Sequence, residues 1–145
     1  MAILSHPHKT LRVNCRKVSV FDDSVRSDAE KIASAVKSNC SIPFFVTGMA
    51  ANQVGIFNRI IVLKKLLGGF LTMVNPVIQS SFLPLFSLDL CASVPGKVSL
   101  KLRKGIVRVS YNDLEGKELS STFFGSAAFI LQHEIEHLDG KLIID

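Results

Sequence analysis

The feature that most constrains this chain is the segment at residues 133–137, which reads H-E-x-x-H. Residues four apart lie on one face of a helix, so His133 and His137 can bind one metal ion together. Glu134 follows the first histidine directly, and its carboxylate can reach a water molecule on that ion without being a ligand. The preceding segment is apolar, as a buried helix requires. The pattern predicts a metal-binding helix over residues 125–139; the alternative is a core helix with incidental polar residues.

A third ligand is expected upstream of this motif. A catalytic zinc-type site usually has three protein ligands and an open position. Few residues follow His137, and position 143, where a longer metalloprotease pattern would have its histidine, is Ile143. Among the three cysteines, Cys91 is the candidate because it lies between an apolar strand and a Pro-Gly turn. A thiolate with two imidazoles suits Zn²⁺ or Fe²⁺. The alternative for Cys91 is a small buried hydrophobic residue.

Hydrophobic periodicity predicts an α+β fold. Apolar residues three to four apart predict an N-terminal amphipathic helix over residues 25–37, after a capping segment at residues 22–24. Alternating or β-branched segments predict about six strands, among them residues 59–64, 70–80, 82–90, 98–102, 106–111 and 117–123. We expect antiparallel β-sheets packed around the C-terminal helix, in a single domain of residues 1–145.

The composition limits the kinds of protein and the cellular compartments to which the chain can belong. The chain has 145 residues, nearly half of them apolar, and can bury a core without disulfides. Its three cysteines have no regular spacing, which favours a reducing compartment. We expect neither a signal peptide nor a membrane span, and therefore a cytoplasmic protein. The net charge of +5 is compatible with weak attraction to RNA, although a soluble basic surface is the more frequent reason.

Three ordered segments resemble the peptide deformylase family. That family's motifs are Gly-x-Gly-x-Ala-Ala-x-Gln, Glu-Gly-Cys-x-Ser and Gln-His-Glu-x-Asp-His-Leu. Residues 46–53, 89–93 and 132–138 read V-T-G-M-A-A-N-Q, D-L-C-A-S and Q-H-E-I-E-H-L. The chain departs from these motifs at Val46, Asp89, Leu90, Ala92 and Glu136. Bacterial members commonly continue further at the C-terminus, so the chain resembles a minimal form.

The resemblance implies a metal-dependent hydrolase that removes the N-formyl group from the initiator methionine of nascent polypeptides and releases formate. It implies that Cys91, His133 and His137 hold one divalent ion. Fe²⁺ is the expected native metal, and the ligand set also suits Zn²⁺, Ni²⁺ or Co²⁺. The alternatives from the residues are a metal-dependent peptidase and a metal-stabilised binding protein without activity.

The resemblance also implies roles for residues around the metal. Glu134 would act as general base and then general acid. The side-chain amide of Gln53 and the backbone N–H of Ala92 would donate to the negative charge of the tetrahedral intermediate. The peptide backbone would pair with the segment around Gly48 as an added strand. The methionine side chain would enter a slot lined by Thr47, Ser87, Ser126, Phe129 and Ile130.

The expected partners follow from this activity. They are N-formyl-Met nascent peptides and, weakly, the ribosome, with no DNA and no membrane. The chain is expected to be a monomer. A bacterial, organellar or virus-encoded protein would carry the same features.

Overall fold

The computed structural model of the chain describes residues 2–39 and 47–145. Val46, one of the departures from the family motifs, and Cys40, one of the three cysteines, lie outside these residues. Two short 3₁₀ helices occur at Lys9–Arg12 and Ala51–Val54. The longer elements are α1 (Asp23–Asn39), β1 (Thr47–Ala50), β2 (Ile60–Lys64), β3 (Phe70–Leu90), β4 (Val98–Asn112), β5 (Glu118–Phe124) and α2 (Gly125–Leu138).

The five strands form one antiparallel sheet in the order β1-β2-β3-β4-β5. The predicted α+β class, with an N-terminal helix and a C-terminal helix on antiparallel strands, is therefore confirmed. The prediction of about six strands differs in detail. Residues 70–80 and 82–90 belong to the single long strand β3, and residues 98–102 and 106–111 belong to the single strand β4. The short strand β1 is not among the predicted strands. Shifts of register between Val74 and Val77 and between Ile78 and Ser80 accommodate Pro76 without ending β3.

The main core lies between the sheet and the two helices. Helix α1 buries Val25, Ala29, Ile32 and Val36, whose spacing of three to four residues forms one apolar stripe. Helix α2 packs against β1 and β4 and buries Ala128, Leu131 and Leu138. Facing them are buried residues of the sheet, among them Ile60, Ile61, Val62, Met73, Val107 and Val109. Among the described residues, no helix has the length and apolar character needed to cross a membrane.

The N-terminal segment connects parts of the chain that are far apart in sequence. The Leu4 N–H donates to the Gln53 carbonyl at 2.8 Å, and the His6 N–H donates to the Ser93 carbonyl at 2.7 Å. Further along, the Cys15 N–H donates to the Leu138 carbonyl at 2.8 Å. The segment therefore contacts the residues after β1, the loop after β3 and the end of α2, which are the three regions that the sequence motifs occupy.

Gly140 provides a test of how tightly α2 is held against this N-terminal segment. Its φ of +71° lies in the left-handed region, and a Cβ there would lie 2.5 Å from the Arg12 carbonyl oxygen. We expect Gly140→Ala to lower the free energy of unfolding by about 3 kcal/mol or more, because backbone strain and a backbone clash combine. Urea denaturation followed by circular dichroism measures this change.

Gly69 supplies the matched control. Its φ is +78°, yet a Cβ there would meet nothing within 4 Å. Gly69→Ala should therefore cost only the backbone strain, about 1–2 kcal/mol. Equal losses in the two variants would mean that the contact between Gly140 and Arg12 adds nothing to stability.

Candidate metal centre

Three donor atoms from two distant segments meet at one buried point. The Cys91 Sγ lies 3.1 Å from the His137 Nε2, which in turn lies 3.1 Å from the His133 Nε2. All three atoms lie within 4.8 Å of one another, and the three residues are buried. One turn of α2 separates the two histidines, while Cys91 directly follows β3. Donor atoms on a tetrahedral zinc-type ion lie roughly 3.5 Å apart, given bonds of about 2.0–2.3 Å, so this set fits such an ion.

The charges around the cluster also favour a cation. Burial lowers the pKa of His133, but the Asp89 carboxylate, the Cys91 sulfur and the Glu134 carboxylate outweigh it and raise the pKa to about 10. Burial and the neighbouring His133 lower the pKa of His137 to about 3, which keeps that imidazole neutral. A divalent ion would supply the positive charge that these surroundings favour, and a neutral imidazole is the form that ligates metals.

A buried arginine joins the metal-binding segments behind the cluster. The Arg103 guanidinium donates to both carboxylate oxygens of Asp89 and to both oxygens of Glu136, the latter at 3.2 and 2.9 Å. The other side of Asp89 faces the ring of His133, with its Oδ2 3.6 Å from the Nδ1. Burial alone would raise the pKa of Asp89, but the neighbouring His133 ring and the hydrogen bonds from Arg103 lower it well below its usual range. Asp89 thus orients the outer nitrogen of His133.

In the sequence, Asp89 and Glu136 stand out only as departures from the family motifs, and no motif points to Arg103. The alternation of inward and outward positions along β3 and β4 could have indicated that Arg103 and Asp89 are buried together. On β4, Arg103 is an even number of residues from the buried Val107 and Val109 and so points to the same side of the sheet. Asp89 is on β3, two residues before Cys91. Charges at inward positions of two neighbouring strands indicate a buried ion pair.

Glu134 lies beside the cluster in an apolar setting. It is 4% exposed, and its Oε2 has no hydrogen-bond partner among the described residues. Burial raises the pKa of Glu134 to about 7, against smaller lowering effects from His133 and the Ala50 backbone. Gly48 permits this close packing, because a Cβ there would lie 3.2 Å from the Glu134 Cγ and 2.6 Å from the Leu63 Cδ2.

The Gln53 side chain is held towards the cluster by both ends of its amide. Its Oε1 accepts from the Ala50 N–H at 2.9 Å, and its Nε2 donates to the Ser93 hydroxyl at 3.0 Å. The same nitrogen lies 3.9 Å from the Cys91 Sγ. Ser93, which the sequence analysis leaves without a role, is fully buried and contacts Gln53 directly. Ala92 lies between Cys91 and Ser93 in the same loop and is exposed.

A cleft of about 580 Å³ opens next to these groups. Of the residues predicted for the site, His137 alone does not line the cleft, because it is completely buried behind it. The predicted residues that line it are Thr47, Gly48, Gln53, Ser87, Cys91, Ala92, Ser126, Phe129, Ile130, His133 and Glu134. The lining also includes residues that the sequence analysis did not place there, namely Met49, Leu66, Leu88, Asp89 and Leu90.

Comparison with known proteins gives one family over the whole chain. The family described as Polypeptide deformylase matches residues 1–145. A peptide deformylase-like protein of Agrobacterium fabrum is 32% identical over 95% of this chain and 82% of the relative. The peptide deformylase of Thermodesulfovibrio yellowstonii is 32% identical over 100% of this chain and 89% of the relative. The crystal structure of peptide deformylase from Thermotoga maritima matches with a TM-score of 0.89 and 28% identity, over 99% of this chain and 95% of that one.

The arginine contacts generate a prediction about side-chain length. Compared with the family motifs, the acid at position 89 is one methylene shorter and the acid at position 136 is one methylene longer. We expect Asp89→Glu and Glu136→Asp each to lower the free energy of unfolding by about 1–3 kcal/mol, because each disturbs the geometry at Arg103. The double variant should lose less than the sum, by about 1 kcal/mol or more, because the two lengths compensate.

The measurement is urea denaturation of all four proteins in the presence of a chelator, so that metal binding does not contribute. Asp23→Glu is the control, since that exposed aspartate makes only a long ion pair within its own helix. Strictly additive losses in the double variant would contradict the idea that positions 89 and 136 are coupled through Arg103.

Proposed function

The chain belongs to the polypeptide deformylase family, whose members remove formyl groups from peptides, and we propose how its residues perform this reaction. The proposed substrate is the N-formyl-methionine end of a nascent polypeptide in the cytoplasm, and formate is the product. The observation that carries the proposal is the buried Cys91, His133 and His137 cluster, which lies beside an open cleft next to a buried carboxylate. We propose that residues 1–145 act as one catalytic domain.

Cys91, His133 and His137 would hold one divalent metal ion, with Fe²⁺ the expected native ion. When bound, such an ion acts as a Lewis acid and makes hydroxide available from water near neutral pH. Asp89 fixes the ring of His133 through the outer nitrogen, and Arg103 fixes Asp89 in turn. The ligands are thereby held in place by neighbours that are themselves buried, which favours a fixed geometry for the reaction.

Glu134 is proposed as the group that moves the proton. A pKa near 7 lets its carboxylate accept a proton from water and release it again within one cycle at neutral pH. The proton accepted from water goes to the amine nitrogen as the bond between that nitrogen and the formyl carbon breaks. The Oε2, which has no partner among the described residues, is free to make this transfer.

Gln53 and Ala92 are proposed to stabilise the negative charge that develops on the formyl oxygen. The Gln53 Nε2 already lies near the Cys91 sulfur, and its contact with Ser93 fixes its direction. The backbone N–H of Ala92 belongs to the residue after Cys91 and lines the same cleft. Loss of one donor of this kind typically costs about 3–4 kcal/mol of transition-state stabilisation.

The cleft supports a methionyl peptide as substrate. Phe129 and Ile130 supply apolar surface on α2, about one turn before His133. Thr47, Ser87 and Ser126 give the rest of the slot a small and partly polar lining. Within the described residues β1 pairs with β2 alone, so its other edge, at Gly48, can accept the peptide as an added strand.

Formate release is the direct test of the proposed function. Protein prepared without oxygen and loaded with Fe²⁺ should release formate from formyl-Met peptides, as measured with a coupled formate assay and metal analysis. Anaerobic handling matters because a ferrous site with a thiolate ligand is sensitive to oxidation. The same peptides without the formyl group should remain intact; cleavage of their peptide bonds would instead indicate a peptidase.

Glu134→Ala tests the proposed proton transfer. We expect kcat/KM to fall by about 10²–10⁴-fold, because a positioned acid–base group contributes on that order. The metal content should stay at that of the unsubstituted protein, because Glu134 is not a ligand. Glu30→Ala, on an exposed face of α1, is the matched control and should leave both quantities unchanged. Full activity in Glu134→Ala would assign the proton transfer to another group.

A further inference from the structure

One side of the hairpin formed by β3 and β4 is apolar and open to solvent. We call it the outer face and define it by three cross-strand pairs, which are Phe86 with Leu102, Leu88 with Leu100, and Leu90 with Val98. Each of these six residues is between 63% and 73% exposed. Large apolar side chains lying directly opposite each other on neighbouring strands form a continuous surface rather than scattered contacts.

A second apolar group lies on the same side of the sheet, beyond Pro84 and Lys104, which lie opposite each other. Phe82 lies opposite Ile106, and Ile106 lies opposite Phe124 on the next strand. Phe82 is 61% exposed and Phe124 is 63% exposed. Because Lys104 separates this second group from the three pairs, it is not counted as part of the outer face.

The alternation of these strands is the reverse of that expected for a sheet with one side in water. Such a sheet normally has apolar residues inward and polar residues outward. Here the inward positions hold the polar residues Ser87, Asp89 and Arg103, all of them buried. The outward positions hold phenylalanine, leucine and valine. The sequence thus gives the outer face the composition of a buried surface.

The area of the outer face is that of a protein interface. Taking about 200 Å² for an exposed phenylalanine, about 170 Å² for a leucine and about 150 Å² for a valine, the six side chains of the outer face expose roughly 700 Å². The largest apolar patch on a typical monomer is about 300–600 Å². Each partner of a standard protein–protein interface contributes about 800 Å².

We propose that a second copy of this chain covers the outer face, so that two hairpins stack with their outer faces together in a two-fold dimer. A two-fold axis pairs the same patch with itself, and a flat apolar sheet face can be complementary to its own copy. Interfaces between identical subunits are also the most apolar class. The sequence predicts a monomer, and the outer face points to the opposite conclusion.

Charge argues against a nucleic-acid partner at this surface. The three pairs of the outer face hold no charged residue, and the charged residues at the outward positions of β4 beyond them are Lys104 and Arg108, at one end of the face. Binding to ribosomal RNA needs several lysines or arginines that contact phosphates. At the edge of a dimer, a lysine side chain can extend into water while its stem packs against the apolar surface.

The dimer leaves the candidate metal centre accessible. The Asp89 and Arg103 side chains and helix α2 lie on the inner side of the hairpin, where Arg103 contacts Glu136 of α2. Leu88 and Leu90 belong both to the outer face and to the lining of the cleft. The second copy would therefore lie beside the cleft without covering the cluster.

Sedimentation velocity and light scattering of the full chain across a wide concentration range test the proposal. The protein should have twice the chain mass of 15.9 kDa. The double variant Phe86→Glu with Leu102→Glu should have the monomer mass, because two carboxylates would face their copies across the axis. Its circular dichroism and its formate release should match those of the unsubstituted protein. Val20→Glu, at an exposed valine in the loop before α1, should remain a dimer.

Each other outcome overturns the proposal. A monomer at every concentration would leave the outer face without a second copy, and co-sedimentation of that monomer with phosphatidylserine vesicles would assign the face to a membrane surface. A dimer that persists in the double variant would have another interface. If the double variant does not fold, Leu100→Lys gives the same reading from a single exposed position.

Discussion

The buried contacts of Arg103 hold the metal centre together. This one guanidinium binds Asp89 at the end of β3 and Glu136 on α2. Cys91 follows Asp89 by two residues, and Glu136 lies between the two histidines. The position of the sulfur relative to the two imidazoles therefore depends on this ion-pair cluster. Removing one partner of such a cluster leaves an uncompensated buried charge, which costs about 3–5 kcal/mol.

The surroundings shift the pKa values of two carboxylates near the cluster in opposite directions. Asp89 contacts Arg103 and His133, and its pKa lies well below the usual range, so it stays ionised. Glu134 lies against apolar packing, and burial raises its pKa to about 7. One acid therefore serves as a fixed negative charge, and the other can exchange a proton. Because the two pKa values differ, one carboxylate can stay ionised and hold its neighbours while the other takes part in proton transfer.

Local patterns in the sequence predicted α2, its two histidines and the α+β class, because a helical repeat and strand alternation are properties of short segments. The choice of Cys91 also followed from its place between a strand and a turn. The contacts of Arg103 with Asp89 and of Ser93 with Gln53 were not predicted, because they depend on strand register and on the docking of α2. The long strands β3 and β4 were each predicted as two shorter strands, because the register shifts in β3 and the Lys104-Gly105 segment in β4 interrupt the local alternation of apolar and polar residues.

The hydrogen bonds of the N-terminal segment have a consequence for the rate of folding. Cys15 is paired with Leu138, and Arg12 forms an ion pair with Asp145, so segments far apart in sequence meet. Each of these contacts requires a long loop to close before it can form, which costs chain entropy. Contacts of this kind raise the contact order, so the chain should fold more slowly than a helical bundle of the same length.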